Sequence, residues 1–128
     1  MDSVVHFEIP AGNPKRASKF YGDVFGWQIQ AMEGMPYWML TTTEVDSNTR
    51  MPKTPGAING GMGKKMGPLK STVVTVGVKD IDKTLEAVKA SGGKTVQKKQ
   101  PVGDMGFTAY FKDSEGNVVG LWQAAGRM

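Results

Sequence analysis

The chain contains no cysteine and only one histidine among its 128 residues. The first absence excludes a disulfide framework, a thiolate nucleophile and any zinc site built on sulfur, and it fits a reducing cytoplasm. The second confines imidazole chemistry to His6. No apolar run approaches the roughly 18 residues that a membrane-spanning helix needs. No basic segment followed by an apolar stretch opens the chain, because Met1-Asp2-Ser3 leads directly into alternating residues, so secretion is not indicated. Acidic residues are missing between Asp46 and Asp80, where Arg50, Lys53, Lys64, Lys65, Lys70 and Lys79 create a local excess of positive charge. These basic residues are not interleaved with aromatics and no nucleic-acid motif accompanies them, which argues against a nucleic-acid partner. With 39% hydrophobic and 22% charged residues and a net charge of +4, the composition is that of one compact domain over residues 1–128.

What is present is a repeated pattern. Ser3 to Ile9 alternates as a strand, with Val5, Phe7 and Ile9 on one side and His6 and Glu8 on the other. Asn13 caps Pro14 at the start of an amphipathic helix carrying Ala17, Phe20, Tyr21 and Val24, and Gly26 stops it. Trp27 to Met32 and Tyr37 to Thr43 read as strands, Glu44 to Gly56 as a mobile loop, and Ala57 to Met62 as a strand weakened by glycine. The order then restarts. Ser71 to Val78 is a strand, Asp80 caps a helix from Ile81 to Ala90, and Lys94 to Val102, Gly106 to Lys112 and Val118 to Gln123 supply three more strands. Two modules of about 60 residues, 1–66 and 67–128, each too small to bury much surface alone, should share a core.

Strand alternation turns His6, Glu8, Thr75 and Gly77 away from the helices. In the last strand Gly120 and Trp122 face the same way, and with Tyr110 and Trp38 or Met39 they could line an apolar pocket with a few polar tips. Filling the core is the competing role for these aromatic residues. His6 reads equally as a hydrogen-bonded structural imidazole or as a ligand contact. Glu8 calls for a partner if it lies inside a cleft, or reaches water at the strand end.

Taken together, Val5-His6-Phe7-Glu8-Ile9, Ala17-Ser18-Lys19-Phe20-Tyr21, Val24-Phe25-Gly26-Trp27, Val78-Lys79-Asp80-Ile81-Asp82 and the run Phe111 to Trp122 resemble the vicinal oxygen chelate superfamily of glyoxalases, bleomycin-resistance proteins and extradiol dioxygenases. The resemblance implies an α+β fold of two tandem βαβββ modules, a curved mixed sheet with helices outside, and a homodimer binding a small molecule in a concave cleft. It also implies a divalent metal held by one residue from each of four strands. His6 stands at the first such position, but Thr75 stands at its repeat and Gly120 replaces the closing carboxylate, while Asn59 is the only polar side chain in the closing strand of the first module. The expectation is therefore a small-molecule binding protein with no metal and no other cofactor, contacting its ligand through His6, Glu8, Trp38, Asn59, Thr75, Tyr110, Gly120 and Trp122. The alternative is a lyase, isomerase or dioxygenase of the same superfamily, using a displaced metal at His6, Glu8 and Asn59 or Glu8 or His6 as a general base.

Overall fold

The computed structural model describes residues 1–126. The elements follow in the order β1 (Val4–Ala11), α1 (Pro14–Phe25), β2 (Gln28–Ala31), β3 (Tyr37–Thr41), β4 (Gly60–Lys64), β5 (Val73–Gly77), α2 (Ile81–Ala90), β6 (Lys94–Val102), β7 (Gly106–Lys112) and β8 (Val118–Ala124). This is an α+β chain with the βαβββ order written twice. Residues group into two compact units, one of His6–Thr72 and the other of Met1–Val5 with the chain from Val73 onward.

Both units use the same strand order. In the first, β1 pairs parallel with β4, β4 antiparallel with β3, and β3 antiparallel with β2. In the second, β5 pairs parallel with β8, β8 antiparallel with β7, and β7 antiparallel with β6. The parallel pair in each is the one whose strands are separated by a helix, as a crossover connection requires. The duplication in sequence is thus a duplication in topology.

Local chemistry explains the helix ends. The Asn13 side chain accepts the Arg16 N–H at 3.0 Å, and Gly26 closes α1 at φ 73°, a left-handed conformation that favours glycine. Asp80 caps α2 by accepting the Lys83 N–H at 3.1 Å. In the first unit Ala11, Leu40 and Met62 are buried, with Phe7, Ile9, Ala17, Trp27, Ile29 and Trp38 packed around them. In the second, Ile81, Leu85, Ala109 and Leu121 are buried beneath Val76, Val78, Phe107 and Phe111. Each fully buried aliphatic side chain contributes about 1.5–3 kcal/mol.

Leu69 is buried against Gly63, which ties the segment after β4 to the first unit. Two features differ from the sequence expectation. The β4 strand starts at Gly60 instead of Ala57, since Asn59 is held by the end of β3. The segment expected as a mobile loop is closed on itself: Asp46 accepts the N–H groups of Asn48 and Thr49, Val45 bridges Pro52, and Lys53 N–H donates to the Glu44 carbonyl at 2.9 Å. Asp46 supplies the turn that its neighbours' composition concealed.

Candidate functional site

In the first unit, Phe7 and Ile9 pack towards α1, so β-strand alternation puts His6 and Glu8 on the opposite face. The register extends this face across the sheet. Glu8 pairs with Gly61, Gly61 with Met39, and Gly63 with Tyr37, so Tyr37 and Met39 share the face of Glu8. Trp38 has the other parity and packs in the core with Met62 and Leu40. The aromatic residue beside Glu8 is therefore Tyr37, and Trp38 stands on the far face.

Tyr37 lies flat on β4 because β4 offers it no side chains there. A Cβ at Gly61 would collide with the phenol ring and its oxygen, and one at Gly63 would stand 3.6 Å from the ring and 2.9 Å from Leu69. The glycines that weaken β4 as a strand are what seat the ring. Thus placed, the Tyr37 O–H donates to Glu8 Oε2 at 2.7 Å and lies 3.0 Å from His6 Nε2. With its proton directed at Glu8, the phenol oxygen accepts from His6, so Nε2 carries the imidazole proton. Burial lowers the His6 pKa from 6.5, and the Glu8 carboxylate opposes that shift in part. The ring is accordingly neutral near pH 7, with Nδ1 as its acceptor. Glu8 is only 7% exposed. A buried carboxylate taking a charge-assisted O–H bond satisfies the demand for a partner.

Asn59 is committed elsewhere. Its Oδ1 accepts the N–H groups of Thr42 at 2.7 Å and Thr43 at 2.9 Å, and its amide donates to the Thr43 carbonyl. This clamp joins the end of β3 to the approach of β4.

In the second unit, Thr75, Tyr110, Gly120 and Trp122 share one face, as alternation predicts: Gly120 pairs with both Thr75 and Tyr110, and Trp122 follows two residues on. Gly120 leaves no open space, since a Cβ there would lie 2.7 Å from the Thr75 hydroxyl. Trp122 likewise covers Gly106, whose Cβ would lie 2.8 Å from the indole ring. Thr75 and Tyr110 are buried and Trp122 half-buried.

Four ligands for a divalent metal are not assembled among the described residues of the first unit. His6 and Glu8 are bridged by a phenol, Asn59 spends its oxygen on two backbone amides, and the remaining positions are Thr75 and Gly120. Among the described residues no three His, Asp or Glu side chains converge.

Residues 3–121 match the Glyoxalase/Bleomycin resistance protein/Dioxygenase superfamily. The chain belongs to this superfamily. A glyoxylase-like domain-containing protein of Didymella fabae is 31% identical over 125 residues, covering 94% of this chain and 92% of that protein. The lactoylglutathione lyase of Haemophilus influenzae is 28% identical over 116 residues, covering 88% and 86%. Among solved structures, a methylmalonyl-CoA epimerase in complex with methylmalonyl-CoA and ammonium shares the fold at a TM-score of 0.65, with 13% identity over 98% of this chain and 96% of that one. The Streptomyces coelicolor epimerase in complex with 2-nitronate-propionyl-CoA gives 0.64, with 12% identity over 96% and 97%.

Sequence reading missed Tyr37. The available signal was the alternation Tyr37-x-Met39 against Trp38-x-Leu40, read together with the glycines at 61 and 63. Only the pairing of β3 with β4 shows which set lies beside Glu8.

Proposed function

We propose that this superfamily member is a small-molecule binding protein whose first unit receives an oxygenated ligand on the face of His6, Glu8, Tyr37 and Met39, with no resident divalent metal. The observation that carries this reading is the Tyr37 hydroxyl bridging Glu8 and His6. It fixes three polar groups in one orientation beside the half-exposed Met39 and the buried Leu69, the mix of a few aimed polar atoms and apolar surface typical of ligand sites. Trp38 packs behind the site, Asn59 fastens the strand ends, and neither touches the ligand. The reading includes a homodimer and a cytoplasmic setting, the latter consistent with the absence of cysteine.

A second reading, an isomerase or lyase without metal, draws on the same bridge. A carboxylate and a phenol in direct hydrogen bond are a base and an acid able to move one proton, given a substrate whose proton reaches Glu8. Both named relatives point to acyl thioesters as probes.

The test is titration with S-lactoylglutathione and with methylmalonyl-CoA, followed by nuclear magnetic resonance of the single imidazole and the Tyr37 ring. Saturable shifts at His6 and Tyr37 support the binding reading. Unperturbed signals at millimolar concentrations of both thioesters would count against it. Turnover of either probe that disappears in Glu8→Gln selects the enzymatic reading.

A further inference from the structure

Helix α1 buries none of its residues completely, although its apolar side chains recur at helical spacing. Phe20, Val24 and Phe25 remain 55%, 56% and 60% exposed. Phe20 and Phe25 belong to a cluster of four rings with Tyr21 and Trp27. Tyr21 lies parallel to Trp27 with centroids 5.0 Å apart, Phe20 meets Tyr21 edge-on at 5.1 Å, and Phe25 lies 5.6 Å from Trp27. Trp27 leads directly into β2, the edge strand of its unit's sheet. The exposed stripe and the strand edge are therefore joined through Trp27, and α1 itself packs against β2.

The edge strands of the two units are built differently. The outer strand β6 carries Lys94, Lys98, Lys99 and Pro101 and two register breaks, with Lys99 paired to Asp82 at 3.7 Å and seated over the Phe107 ring at 4.4 Å. Charge, proline and bulges are the usual devices that stop an edge from pairing with another chain. The strand β2, Gln28-Ile29-Gln30-Ala31, carries none of them. Its outer amides and carbonyls are free of the charges and kinks that would repel a second strand.

We infer that the α1 stripe and the β2 edge together form a contact surface for a second copy of this chain, related by a two-fold axis that sets β2 antiparallel to its partner. This rests on the homodimer proposed above and names the surface that makes it. A two-fold contact needs a self-complementary patch. The uncharged four-residue strand meets that condition, and the Lys19–Asp23 ion pair beside the stripe presents both signs to its copy. The stripe offers on the order of 300 Å² of apolar side chain per copy, a suitable centre for an interface of about 800 Å² per partner.

The experiment is analytical ultracentrifugation of the whole chain at about 100 µM, with three variants whose folding is checked by thermal melting. The first carries Val24→Arg with Phe25→Arg, the second carries Gln30→Lys, and the third places a comparable charge on β6 of the second unit as Val96→Arg. A dimeric parent, at least a tenfold weaker association in the first two variants and an unchanged third support the surface. A dimeric parent whose first two variants stay dimeric overturns the surface and leaves the homodimer standing. A monomeric parent overturns both.

Discussion

The phenol of Tyr37 and the missing side chain of Gly61 occupy one place: a Cβ at residue 61 would collide with the ring that joins Glu8 to His6. The substitution Gly61→Ala should therefore act on the site as well as on stability. We expect a loss of about 1–3 kcal/mol from overpacking and a changed environment for the imidazole. Adding Tyr37→Ala should relieve the collision, so the double variant costs less than the sum of the two single ones in urea unfolding. Simple additivity would mean that the ring moves aside without cost.

Removing only the hydroxyl tests the bridge. Tyr37→Phe keeps the ring over β4 but deletes the bonds to Glu8 and His6. A loss of about 1–3 kcal/mol is expected for buried polar groups deprived of a partner. Chemical denaturation of Tyr37→Phe, Glu8→Gln and the combined variant should give a non-zero coupling energy. A cycle that closes to zero would assign Tyr37 to packing alone.

His6 supplies a pH dependence with a definite sign. Burial sets its folded pKa below 6.5, so in moderately acidic solution the unfolded chain binds a proton that the folded chain does not. Stability from this group is complete above 6.5 and is lost as the pH falls below that value. Because the chain has one histidine, His6→Gln should flatten the fall of the melting temperature below pH 6.5. An equally steep curve in the variant would trace the effect to other groups. Asp46 and Asp113 act at lower pH. Backbone N–H donors, from Thr49 and Asn48 for the first and chiefly Asn117 for the second, hold both carboxyls below 3.8, so their contribution is present above that value and fades as the pH drops through the folded one.

Asn59 serves the backbone. Asn59→Ala removes the acceptor for the Thr42 and Thr43 amides and should cost about 1–3 kcal/mol. Hydrogen exchange should quicken at those two amides, with the His6 resonance unchanged. Protection that persists at Thr42 and Thr43 would contradict the clamp.

Much of this was legible in the sequence because its signals are local. Asn13, Gly26 and Asp80 mark helix ends through their own bonds and dihedrals, and the period-2 pattern put His6 with Glu8 and Thr75 with Gly120 and Trp122. What lay hidden depends on pairing between distant segments. Trp38 and Tyr37 are neighbours in sequence, and only β3 against β4 decides which enters the core. The glycines of β4 read as weakness because their function is to leave space for a residue 24 positions earlier, Tyr37 under Gly61. The helical spacing of α1 did not tell which of its apolar residues are covered, and the structure leaves Phe20 and Val24 more than half exposed.

The alternation Gly61-Met62-Gly63 has a consequence for folding. Met62 is fully buried on the α1 side, while the glycines beside it open the other side to Tyr37. If β4 slipped by one residue against β3, the methionine side chain would be driven under the phenol ring and the core would receive only hydrogen. The three residues thus work as a key cut for a single alignment, so a strand poor in side chains is nonetheless strict about where it pairs.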